Sequence, residues 1–133
     1  YIVIGSWGEK SIYFYKTTDG GASWTIKQKL TGTSTTFGRM VALAGNIVVS
    51  GLSSDSKAVV YSTSDNGESW TIKQASLSTG EAGTIEGRYV DISKDGSTIL
   101  SSGNFGAANN NKVVVFRTTD NWNSFTLFIP NFF

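Results

Sequence analysis

Cysteine and histidine are both absent from the 133 residues. Disulfides, thiolate nucleophiles, histidine general bases and the common zinc sites are thereby excluded together. Charge of either sign is scarce in excess: 11 Lys and Arg against 10 Asp and Glu leave a net +1, scattered along the chain. Nucleic acids and anionic membranes select clustered basic patches, so neither is expected as a partner. No apolar run approaches the roughly 20 residues of a spanning helix, and no stretch reads as a signal peptide. Helical periodicity is missing as well. Proline occurs once against 15 glycines, among many Ser, Thr, Asn and β-branched residues, which points to an all-β domain. The length suffices for one domain with a core, yet is small for a complete closed array.

The chain does contain an internal repeat. Thr17-Thr18-Asp19-Gly20-Gly21-Ala22-Ser23-Trp24 returns as Thr63-Ser64-Asp65-Asn66-Gly67-Glu68-Ser69-Trp70 and, degenerate, as Thr118-Thr119-Asp120-Asn121-Trp122-Asn123-Ser124-Phe125. The three Asp residues recur at about 50 residues, the length of one four-stranded unit. Each copy lies between two strand-like runs and reads as a tight hairpin turn. The Asp carboxylate is expected to accept backbone N–H groups two or three residues on, and the Gly to supply positive φ. The following Trp or Phe is expected to face inward and fix the hairpin to the core.

Strands are expected at Tyr1 to Ile4, Ser11 to Lys16 and Trp24 to Leu30 in the first unit. The second has Arg39 to Leu43, Asn46 to Ser50, Lys57 to Ser62 and Trp70 to Ala75. The third has Arg88 to Ser93, Ser97 to Ser101, Lys112 to Arg117 and Phe125 to Ile129. The units span about 1–36, 37–86 and 87–133. Alternation places Trp24, Ile26 and Leu30 on one face of their strand. The inner runs Ile47-Val48-Val49 and Val113-Val114-Val115-Phe116 are uniformly apolar, as in sheets covered on both faces. A chain opening mid-strand at Tyr1-Ile2-Val3-Ile4 is expected of a fragment or a processed product.

The pattern Thr-x-Asp-x-Gly-x-Ser-Trp resembles the Asp-box, or bacterial neuraminidase repeat. Phe37-Gly38-Arg39 leading into Met40 to Gly51 is similar to an FG-GAP repeat, without the calcium loop that some of those carry. These resemblances imply an all-β β-propeller segment of about three four-stranded antiparallel blades, the first lacking its innermost strand, with no helices. Asp19, Gly21, Trp24, Asp65, Gly67, Trp70, Asp120 and Phe125 would then be structural, away from any active site. Open sheet edges imply self-association or the remainder of a longer propeller; Pro130-Asn131-Phe132-Phe133 of a neighbouring copy is one candidate for the missing strand.

Ligand-binding residues are expected at the other end of the strands, in Gly5 to Lys10, Thr31 to Gly38, Gly51 to Ser56, Ser76 to Gly87 and Gly103 to Asn111. The candidates are Trp7, Glu9, Arg39, Asp55, Arg88, Asn104 and Phe105, with Asn109, Asn110 and Asn111 beside them. Aromatic faces stack on sugar rings and carboxylate or amide groups bond hydroxyls, the chemistry of a shallow glycan site. The alternative for each is plain turn composition and packing. Arg39, Arg88 and Arg117 are similar to the carboxylate-binding arginines of sialidases, with Tyr89, Glu81 and Glu86 near in sequence. No spacing selects a pair of catalytic acids. The expectation is a non-enzymatic, lectin-like module, extracellular or on a surface, with no cofactor and no metal. The alternatives are a fragment of a sialidase-like glycoside hydrolase or an architectural module that docks other proteins.

Overall fold

A computed structural model describes residues 1–80, 85–105 and 110–130, with side chains for 1–80, 86–103 and 112–130. Eleven β-strands form three antiparallel sheets among the described residues. Sheet 1 is β1 (Ile2–Ser6), β2 (Ser11–Lys16) and β3 (Thr25–Thr31), in that order. Sheet 2 is β4 (Met40–Ala44), β5 (Ile47–Leu52), β6 (Lys57–Ser62) and β7 (Thr71–Leu77). Sheet 3 is β8 (Ile85–Ile92), β9 (Thr98–Phe105), β10 (Asn110–Arg117) and β11 (Thr126–Phe128). Sequence neighbours pair throughout, so each sheet is a meander whose register is set by short turns. Among the described residues the helical content is one 3-10 turn at Ser53–Asp55, closed by Ser56 at φ 52°.

The sheets stack face on face, with sheet 2 in the middle. Between sheets 1 and 2 lie Ile12, Phe14, Val48, Val59, Tyr61 and Trp70. Between sheets 2 and 3 lie Val49, Val60, Val90, Ile99, Val114, Phe116 and Trp122. All six residues of β5 are buried, as expected of a strand covered on both faces. Phe14 stacks on Trp70 at 5.0 Å between ring centroids, and Tyr1 meets the same indole edge-on at 5.7 Å.

Glycine governs the closest approach between sheets. A Cβ on Gly5 would lie 2.2 Å from the carbonyl oxygen of Gly38, and one on Gly51 would lie 2.1 Å from that of Gly87. Gly38 (φ 75°) stands just before β4 and Gly87 (φ 72°) near the start of β8, the first strands of their sheets, so a main-chain crossing recurs at each sheet pair. Register identifies the counterparts. Gly51 pairs with Met40 and Ala58, and Ser102 pairs with Tyr89 and Val113. The third sheet therefore carries Ser102 where the first two carry Gly5 and Gly51. Side-chain bonds repeat too: Lys27 bridges to Glu68 at 2.9 Å, and Lys73 donates to Asn123 at 2.6 Å, one turn binding the sheet before it in each case.

Three expectations change. The register shifts between Phe14 and Tyr15, so Leu30 pairs with buried Ile12 while Ile26 pairs with Tyr15 on the opposite face. A bulge breaks the period of two, and Ile26 and Leu30 part company. Trp24 is 40% exposed whereas Trp70 is 3%, because among the described residues no sheet covers the side of sheet 1 on which Trp24 stands. Finally, Gly103 to Asn111 is not simply a loop: the ladder continues through Asn104 opposite Asn111 and Phe105 opposite Asn110.

The three repeated turns share one bonding scheme. Thr17 Oγ1 donates to Asp19 Oδ1 at 2.7 Å and accepts the N–H of Gly21 at 2.9 Å, while Asp19 accepts the N–H and hydroxyl of Ser23 at 3.0 and 2.6 Å. Thr63, Asp65, Gly67 and Ser69 repeat it. So do Thr118, Asp120, Trp122 and Ser124, despite the degenerate sequence. The Asp reaches four residues on, and the Thr hydroxyl is the hub that closes the near side of the turn.

Candidate ligand-binding site

The β1–β2 hairpin and the connection from β3 to β4 meet at the end of the strands opposite the repeated turns. Lys10, at φ 50°, closes the hairpin by donating its N–H to Trp7 O at 3.0 Å. This turn projects Trp7, whose indole N–H donates to Thr35 O at 2.8 Å. The Arg39 guanidinium lies over the indole ring, 5.0 Å from its centroid, a cation–π contact. Trp7 is still 54% exposed.

The segment that holds Trp7 is itself held. Phe37 is buried against Gly32, and its N–H donates to Ser34 O at 3.2 Å. Ser34 Oγ lies 2.8 Å from Ser54 Oγ and donates to Asp55 Oδ1 at 3.0 Å, and Ser54 also donates to Asp55 at 3.0 Å. Thr36 Oγ1 accepts the Ser54 N–H at 3.1 Å. A row of hydroxyls with one carboxylate thus joins the 3-10 turn of sheet 2 to the segment that carries Arg39 and accepts the Trp7 indole N–H.

Trp7, Arg39 and Asp55 therefore share one rim between sheets 1 and 2. Glu9 stands apart, accepting the Tyr13 hydroxyl and pairing with Lys29 at 3.4 Å. The Tyr13 hydrogen bond first, and the Lys29 charge second, hold its carboxyl below the usual range. Arg88 lines a different cleft of about 460 Å³ on the outer face of sheet 3, with Tyr89, Ser102, Gly103, Lys112 and Val113. Arg117 borders a third, near the repeated turn, with Thr119, Ser124, Phe125 and Thr126. The three arginines thus serve separate surfaces. Asn104 and Phe105 are placed by backbone in β9, and their side chains lie outside the described set, as do Glu81, Asn109 and residues 131–133.

Two residues were poorly signalled by the sequence. Glu86 is fully buried, and both its carboxylate oxygens accept the Thr79 N–H at 2.9 Å. It precedes Gly87 as Phe37 precedes Gly38, and the parallel marks it as an anchor of the connection. Trp122 is also fully buried, donating its indole N–H to Gly96 O at 2.8 Å. Among the described residues no group of three or more His, Cys, Asp or Glu is arranged to hold a metal, and no helix is long and apolar enough to cross a membrane. Comparison with protein-family models, curated proteins and solved structures finds no match for the chain.

Proposed function

We propose that the three stacked sheets are successive blades of an Asp-box β-propeller, and that the chain is a non-catalytic glycan-binding module acting outside the cell or on a surface. The observation that carries the binding reading is Trp7. Its ring is half exposed, fixed at its N–H by Thr35 and backed by Arg39. A fixed indole offers a flat apolar face to the C–H face of a sugar ring at little entropic cost. Hydroxyls of Ser54 and Thr36 and the Asp55 carboxylate stand on the same rim for sugar hydroxyls, and Arg39 supplies a fork for the carboxylate of an acidic sugar.

Repeated sites on one particle would gain by avidity. Calorimetric titration against a panel of neutral and acidic sugars tests the reading. Trp7→Ala should weaken binding at least about tenfold, or ~1.4 kcal/mol, with the circular dichroism unchanged. Silence across the panel, or unaltered affinity in Trp7→Ala, removes the proposal.

A further inference from the structure

The fold sorts charges that the sequence leaves scattered. At the end of the repeated turns stand Asp19, Asp65, Glu68, Asp95 and Asp120, and there Lys16 and Lys27 pair with Glu68 at 2.7 and 2.9 Å. The opposite end carries Arg39, Lys57, Arg88 and Lys112. Register shows these four to be two equivalent pairs. Arg39 and Lys57 each stand one residue before the row in which Met40 and Ala58 flank Gly51. Arg88 and Lys112 each stand one residue before the row in which Tyr89 and Val113 flank Ser102. The carboxylates at this end are engaged locally. Asp55 accepts Ser34 and Ser54, Glu9 accepts Tyr13 and pairs with Lys29, and Glu86 is buried on Thr79. Among the described residues none of the four cations forms an ion pair. Arg39 is held instead over the exposed Trp7 indole.

We propose that these cations, together with Trp7, bind a polyanionic glycan, a polysaccharide whose repeating sugars carry carboxylate or sulfate groups. The proposal rests on the glycan reading and goes beyond it to the charge and length of the ligand. Positions two strands apart in one sheet, or in neighbouring sheets, are separated by about 10 Å at the backbone. A single acidic sugar therefore engages one cation, whereas an extended chain engages several in turn and gains by multivalency. A spacing of about 10 Å is also close to the screening length at moderate salt, so the fields of neighbouring cations overlap and steer a polyanion to this end. Nucleic acid matches the row less well. A strand presents a phosphate about every 3.4 Å, several for each cation, and its phosphodiesters offer no donor to the Asp55 carboxylate.

Titration of the chain with dextran, carboxymethyl-dextran and dextran sulfate of equal length is the test, because the three polymers share one backbone. The charged forms should bind about tenfold or more tighter than dextran, and should lose about tenfold or more between about 50 and 200 mM salt. Whichever charged form binds tighter names the anion. Arg39→Gln and Lys57→Gln should each weaken the charged forms about fivefold, with circular dichroism verifying the fold. Lys94→Gln removes an exposed cation at the other end and should change nothing. If Lys57→Gln unfolds, Lys112→Gln probes the equivalent position. Dextran bound as tightly as its charged forms, with Trp7→Ala weakening all three alike, overturns the polyanion and leaves the glycan reading standing. Absence of binding to all three overturns the proposal, and the sugar panel then decides the glycan reading separately. A single-stranded oligonucleotide bound as tightly as the charged dextrans, or a loss in Lys94→Gln equal to that in Arg39→Gln, overturns it as well.

Discussion

Trp122 occupies the position that Gly21 and Gly67 occupy in the other two turns, and it adopts the same left-handed backbone, φ 63° against 98° and 78°. A bulky residue there costs roughly 1–2 kcal/mol. Its indole offsets that cost by filling the core between sheets 2 and 3 and bonding Gly96. Restoring the glycine would relieve the backbone and leave a cavity, and the cavity is the larger effect, about 3–5 kcal/mol for loss of a buried Trp. Trp122→Gly should therefore destabilise by about 1–4 kcal/mol in urea unfolding; a gain in stability would mean that strain dominates. The sequence makes Trp122 look like erosion of the motif. The Thr, Asp and Ser that form the bonds persist, while the residue whose role is backbone freedom has changed and Phe125 replaces the closing Trp.

Strands were legible because turn residues bracket them, and Ser11–Lys16 and Lys57–Ser62 lie where the pattern puts them. Faces were less legible. A bulge is invisible to an alternation count, so Ile26 was grouped with Leu30. Close approaches between sheets leave only a glycine as their trace. Gly51→Ala would set a methyl 2.1 Å from Gly87 O and should cost about 1–3 kcal/mol, the range of an overpacked contact. Gly8, with nothing within 4 Å of a Cβ, is the control, and Gly8→Ala should change the unfolding free energy in urea by under about 0.5 kcal/mol. Equal effects at the two positions would remove the close approach as the cause. Of the candidate site, the residue types in the loops could be read, but not their grouping. Trp7, Arg39 and Asp55 come together because Ser34 to Phe37 is tied down by side-chain and backbone bonds that no spacing announces, whereas Glu9 is drawn to Tyr13 and Lys29 one strand away.

For the molecule as a whole, the repeated carboxylates set the acid limit. The Ser124 hydroxyl, then its N–H and the Thr118 hydroxyl, lower Asp120 to about 2, and Ser93 and Ser97 lower Asp95 to about 2. Asp19 and Asp65 are depressed further by Ser23 and Ser69. An unfolded Asp titrates near 3.9, so in the window below about pH 4 the unfolded chain binds more protons than the folded one. The stabilisation from these groups is complete above that window and is lost as pH falls through about 2. Urea midpoints should accordingly be flat from pH 7 to about 5 and decline between about 4 and 2, and Asp120→Asn should shallow the decline; a midpoint that does not fall would contradict these assignments. The stacking order has a consequence for cooperativity. Because sheet 2 alone belongs to both internal interfaces, damage within it uncouples the entire chain, whereas damage within sheet 1 or sheet 3 leaves a two-sheet remainder with one interface whole. Nearest-neighbour coupling of this kind makes the molecule behave as a short one-dimensional array, in which the central unit decides whether unfolding is all-or-none and the outer units decide where it begins.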